Sequence, residues 1–127
     1  MEMDDPNYIS EKFWNQLVHL VAHNKSEEAK KLFDPLFYFD SCGTFYNSSS
    51  VFDGLSSLTK KNIQIVYKPR SAHDYGNVIE FTINIGKNRK SVIEEVYILH
   101  KVNLQLVNGR VGNCIGTTAK KPVGRKT

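Results

Sequence analysis

Two side chains sit where acid–base chemistry could be organised. Asp40 ends an aromatic run, Leu36-Phe37-Tyr38-Phe39-Asp40, and His100 interrupts an apolar stripe that continues through Leu106. A carboxylate whose pKa is raised by partial burial can act as a general base. The competing reading is that Asp40 caps a neighbouring turn. Imidazole titrates near neutral pH, so His100 reads either as a pocket base or ligand anchor, or as a satisfied core or bulge residue. Together Asp40 and His100 form the one enzyme-like constellation in the chain. Trp14, Tyr38, Asp40, Cys42 and His100 are the expected lining of a ligand pocket. Cys42 has no surrounding Cys/His motif that would activate a nucleophile. His19 and His23 are four residues apart on a helical face shared with Lys12 and Gln16. With no third ligand and no H-E-x-x-H pattern, they read as solvated rather than metal-binding. No cofactor is expected.

The elements that would hold these groups follow from periodicity. Phe13, Trp14, Leu17, Val18, Leu20 and Val21 recur at helical spacing, predicting a helix over about 11–22 with Ser10 as its cap and Ile9 stapled to Trp14. Ser26 caps a second, shorter helix with Glu27 and Glu28 in its first turn. Residues 36–40 and 44–46 read as short strands. A third helix starts at Ser50 and carries Val51, Phe52, Leu55 and Leu58. Ile63, Ile65 and Tyr67 alternate as a strand, and Ile79, Phe81, Ile83 and Ile85 alternate as another with one buried face. Residues 92–117 read as a long antiparallel hairpin turning at Asn108-Gly109, a pair suited to a type I′ turn. On that reading Val96, Ile98, Val102 and Leu104 face the helices. Thr82, Asn84, Tyr97, Leu99, Lys101, Asn103 and Gln105 then face outward, a surface suited to homodimerisation.

At 127 residues and 40% hydrophobic content, the chain reads as one domain over 9–118, with a flexible arm at 1–8 and a basic disordered tail at 119–127. No apolar run approaches the roughly 20 residues that span a bilayer. The acidic start lacks the basic and apolar regions of a signal peptide, so a cytoplasmic or nuclear location is expected. In such a reducing compartment Cys42 and Cys114 read as small buried thiols, with a bridge left open. Residues 1–53 hold nine acids and four bases, whereas 54–127 hold four acids and thirteen bases. That asymmetry suits an anionic partner. Lys87, Arg89, Lys90 and the tail are the residues that would contact phosphate groups.

Helices followed by a run of strands is an α+β order. Ser41-Cys42 before the second short strand, Leu55-Ser56-Ser57-Leu58 in the third helix and the strand at 92–106 give the pattern its particular likeness. Over roughly 8–117 it resembles the nuclear transport factor 2-like superfamily. The resemblance implies two N-terminal helices and a third packed on a curved antiparallel sheet, forming a cone. The transport factor has an acidic residue where this chain has Tyr46 or Asn47. Superfamily steroid isomerases carry a general-base Asp where Asp40 stands. Their helix-one Tyr and long-strand acid align with Leu17 and with Lys101-Val102. These departures favour a non-catalytic domain that binds a protein or a small hydrophobic ligand. An isomerase- or dehydratase-like enzyme using Asp40 is the alternative, and an adaptor for nucleic acid or another anionic partner is a third reading.

Overall fold

Asp5, not Ser10, caps the first helix. In the computed structural model, which describes residues 5–86, 92–112 and 114, α1 spans Pro6–Ala22, and the Asp5 side chain accepts from Asn7 N. Pro6 suits the first turn because its missing N–H would have no helical partner there. The helix therefore starts inside the expected flexible arm. Asn7 Oδ1 accepts from Ala72 N at 3.0 Å and meets the Tyr67 hydroxyl at 3.0 Å. Ser10 is fully buried, 2.7 Å from the same hydroxyl. A short helix, α2, follows at Ser26–Lys30, without a side-chain cap.

The strands are β1 (Phe33–Ser41), β2 (Thr44–Tyr46), β3 (Gln64–Tyr67), β4 (His73–Asp74), β5 (Val78–Gly86), β6 (Ile93–His100) and β7 (Gln105–Val111), with α3 (Ser48–Lys60) after β2. They form one sheet in the order β2-β1-β7-β6-β5-β3, with β4 beside β5. The sheet is mixed rather than wholly antiparallel, because β1 pairs with β7 in parallel. Asn47, rather than Ser50, caps α3 by accepting from Ser50 N. β1 starts at Phe33 and runs through Asp34-Pro35.

The β6–β7 hairpin turns at Lys101–Leu104, not at Asn108-Gly109. Leu104 takes a φ of 54° there, and Leu104 N donates to His100 O at 2.9 Å. Asn108 and Gly109 lie inside β7, opposite Ile98 and Tyr97. The part of the expected return strand at residues 113 and 115–117 lies outside the described residues. So do the expected tail, 119–127, and the basic turn residues Lys87, Arg89 and Lys90.

The faces of β6 are also the reverse of the expectation. Tyr97 and Leu99 are 1% and 0% exposed within the core that α1 and α3 cover, while Val102 is 82% exposed. The reason is the register with β5: Phe81 lies opposite Tyr97 and Ile79 opposite Leu99. The β5 stripe faces the helices, so its odd-numbered partners must as well. Both faces of β6 are apolar, and its own alternation could not decide between them. Tyr97 and Leu99 are therefore unavailable to an intermolecular interface. Lys101 and Asn103 lie in the hairpin turn, and Lys101 reaches Asp74 at 2.8 Å.

The core is strongly aromatic. Trp14 is fully buried and packs against Tyr97 and Phe81, at 5.2 and 6.1 Å between ring centroids. Its indole N–H donates to Ile65 O at 3.2 Å, so burying the ring leaves no orphan donor. Cys42 and Cys114 are joined as a disulfide, which replaces the expected free thiols. Among the described residues no helix is long and apolar enough to cross a membrane.

Candidate functional site

Asp40 is carried out of the core by the pleat of β1. Phe37 and Phe39 are buried at 6% each, while Leu36 and Tyr38 are 85% and 46% exposed. Residues two apart share a face, so Asp40 lies with Leu36 and Tyr38 on the side away from the helices. Its Oδ1 accepts from Gly43 N at 2.8 Å, closing the β1–β2 turn. Tyr38 packs edge-on against Phe45 on the same exposed surface, 5.8 Å between centroids.

His100 ends β6, and its Nδ1 accepts from Asn103 N at 3.2 Å. Asp40 sits beside Arg110 of β7, whereas His100 sits beside Gln105. Five residues of strand separate those positions, roughly 16 Å at 3.3 Å per residue. The two do not form a catalytic pair. His19 and His23 lie 4.2 Å apart as tilted rings. Among the described residues no group of three or more metal-ligating side chains is assembled.

A cavity of about 360 Å³ lies elsewhere, between α3 and the sheet, lined by residues of β1, β2, α3 and β6. None of the five expected pocket residues lines it. Trp14 is core, Cys42 is bridged, and Tyr38, Asp40 and His100 lie outside the lining. β1 supplies Phe39 and Ser41, the same-face neighbours of the residues that were expected. Val51, Leu55 and Leu58 of α3 recur at helical spacing and form the apolar roof. Tyr46, Ser50 and Gly54, all exposed, stand at the mouth.

The inner end of the cavity depends on a missing side chain. Phe39, Gly109 and Tyr97 are in register across β1, β7 and β6. A Cβ at Gly109 would lie 2.7 Å from the Tyr97 ring and 2.9 Å from Phe39. Glycine lets the two rings close over the strand, 5.8 Å between centroids. Tyr97 thereby keeps its ring in the core while its hydroxyl donates to Glu95 Oε1 at 2.7 Å.

Glu95 and Tyr97 share a face two residues apart, and both line the cavity. Burial raises the Glu95 carboxyl above the ordinary 4.5, while the hydrogen bond from Tyr97 pulls the other way. Burial, together with the carboxylate beside it, raises the Tyr97 phenol well above 10.0. The phenol therefore stays protonated and serves as a donor. Among the described residues Glu95 has no cationic partner. Its neighbour Glu94 is salt-bridged to Lys68 at 2.9 Å. The arrangement offers a partly open, mainly apolar cavity with one carboxyl of elevated pKa in its lining, a group able to accept, donate or pair with a charge.

Glu95 lies within the expected strand but outside the expected site, because the expected faces turned the odd-numbered residues of that strand outward. The signal was nonetheless present in the clean β5 stripe, since Ile83 faces the helices and Glu95 is its cross-strand partner.

Comparison with known proteins agrees with this architecture. A family model described as NTF2-like domain matches residues 7–116. A de novo designed NTF2 fold protein superposes with a TM-score of 0.61 at 12% identity, covering 82% of this chain and 83% of that one. An NTF2-like protein from Cytophaga hutchinsonii gives 0.58 at 12% identity, covering 79% and 91%. Bal32a, from a soil-derived mobile gene cassette, gives 0.56 at 8% identity, covering 84% and 90%. No curated protein matches the chain. These structural likenesses concern the fold, and the family match spans nearly the whole chain: the protein belongs to the NTF2-like (nuclear transport factor 2-like) family.

Proposed function

We propose that this protein is a small-molecule-binding domain whose ligand enters between α3 and the sheet and meets Glu95 at the inner end. The observation that carries this reading is the cavity itself. It measures about 360 Å³, has a mainly apolar wall, and places one carboxyl, held by Tyr97, among its lining. Small-molecule sites are typically chambers of roughly 300–1,000 Å³ with a few placed polar groups. Gly54 supports the same reading. It lies within α3, where glycine weakens a helix, yet a Cβ there would meet nothing within 4 Å. Packing does not demand that glycine, and an open mouth accounts for it.

The test uses the neutral fluorescent probe N-phenyl-1-naphthylamine. Wild-type protein should bind it with increased emission. The Gly54→Leu variant, with its side chain in the mouth, should not bind while melting at the same temperature or above. Equal binding by both proteins, or none by wild type, would refute the reading.

A second reading, an acid–base enzyme, is favoured by the raised pKa of Glu95, since general acids and bases work best near the ambient pH. It requires turnover, so a bound ligand recovered chemically unchanged supports binding alone. The Cys42–Cys114 bridge favours an oxidising compartment over the cytoplasmic or nuclear one expected from the sequence.

A further inference from the structure

The chemistry of the cavity lining restricts what its ligand can be. Among the ten described residues that line it the ionisable ones are Glu95, Tyr46 and Tyr97, with no lysine, arginine or histidine among them. The charged residues of α3, Asp53 and Lys60, are exposed and outside the lining. The partners of Glu95 across the sheet are Ile83 on β5 and Val111 on β7, neither of them charged. Tyr97 satisfies one carboxyl oxygen by donating at 2.7 Å, and among the described residues no donor reaches the other. A carboxyl in this position has room for a cation or a further hydrogen-bond donor, and the described lining offers no group that would pair with an anion. Two phenol rings and Phe39 surround the same space, and aromatic faces attract cations.

We propose that the natural ligand is an apolar molecule bearing a protonated amine, whose ammonium pairs with the Glu95 carboxylate while its body lies against Phe39, Leu55 and Leu58. This rests on the binding function proposed above and names the class of ligand. A half-buried carboxylate with a single phenol donor is incompletely compensated, and an ammonium donor supplies charge and hydrogen bond together. Pairing favours the ionised form of Glu95, so binding releases a proton wherever the free protein holds that carboxyl protonated. Affinity for an amine therefore rises with pH through the Glu95 titration. Affinity for a carboxylate falls over the same range.

Three indoles of matched shape separate the cases: tryptamine, an ammonium at neutral pH; tryptophol, a neutral alcohol; and indole-3-acetate, an anion. Isothermal calorimetry on the full chain at pH 7 should show tryptamine binding about tenfold or more tightly than tryptophol, the margin of a charge-assisted over a neutral hydrogen bond. Indole-3-acetate should bind most weakly. Glu95→Gln, nearly isosteric, should bring tryptamine down to the tryptophol level. Tryptamine should also bind more weakly at about pH 5 than at pH 7. Equal affinities for tryptamine and tryptophol, tightest binding by indole-3-acetate, or tryptamine binding indifferent to Glu95→Gln would overturn the inference. So would failure of tryptamine to bind a protein that still takes up N-phenyl-1-naphthylamine. That last result would leave the binding function standing, whereas loss of the naphthylamine signal itself would remove it.

Discussion

Replacing Gly109 with alanine adds one methyl group at the most crowded point beneath the cavity. That carbon would sit 2.7 Å from Cδ1 and Cε1 of Tyr97 and 2.9 Å from Cδ1 of Phe39. Attractive carbon–carbon contact begins near 3.5 Å, so the Tyr97 ring would have to withdraw by roughly 0.8 Å. It has little room to do so, because Trp14 and Phe81 pack against it at 5.2 and 6.0 Å between centroids. Overpacking of this kind costs about 1–3 kcal/mol. Removing a glycine from the unfolded chain returns about 0.4–1 kcal/mol. The net expectation is a loss of about 1–2 kcal/mol, or about 3–8 °C in melting temperature for a chain of this size. Urea denaturation followed by circular dichroism measures it. The control is Gly54→Ala, where the added carbon meets nothing and the helix gains about 0.5–1 kcal/mol. The two glycines should thus respond with opposite signs. A neutral or stabilising Gly109→Ala would refute the placement of Tyr97 across β7, and with it the geometry that presents the Tyr97 hydroxyl to Glu95.

The remaining expectations are briefer. Because the pKa of Glu95 is raised on folding, the folded chain holds more protons than the unfolded one between 4.5 and the raised value. Its contribution to stability is present below 4.5 and is lost as pH rises through that window. The Glu95→Gln variant should lack this fall, gaining on wild type as pH increases, in melts taken across pH 4–8. Reducing the Cys42–Cys114 bridge, or replacing both cysteines with serine, reopens a loop of sequence separation 72 and should cost about 2–4 kcal/mol in denaturant melts. An unchanged midpoint would mean that the bridge does not form. If copies pair through the outer face of the sheet, as expected for a homodimer, the contact must rest on the half-buried Thr82, Asn84 and Ile98 rather than the buried Tyr97 and Leu99. Asn84 Oδ1 is buried there without a hydrogen-bond partner among the described residues. Sedimentation equilibrium at micromolar concentration should then give a dimer that Ile98→Lys shifts to monomer, and a wild-type monomer would exclude the interface.

Periodicity placed the elements well wherever one face was clearly apolar. The stripes of α1, β3 and β5 marked the residues that are buried. Where both faces were apolar it failed, and β6 was turned over by one residue. That slip moved Tyr97 to the outside and kept Glu95 out of consideration. Asn108-Gly109 resembled a hairpin turn because the dipeptide carries that signal. Here the glycine serves close approach of two rings, one of them Phe39, 70 positions away in sequence, which cannot be read from a local window. Asp40 was placed in the cone on the strength of its neighbours Leu36 and Tyr38, yet those are the exposed members of β1. Propensity marked the aromatic strand, and only the pairing of β1 with β7 decided which of its faces is inside.

The most direct measurement is the titration of the Glu95 side-chain carboxyl by ¹³C NMR, first in the free protein and then with saturating tryptamine. A midpoint above the ordinary 4.5 in the free protein, moving downward when the amine is added, is the predicted result. A free-protein midpoint at or below 4.5 would show that Glu95 is in water rather than at the inner end of an apolar chamber, and would contradict the account.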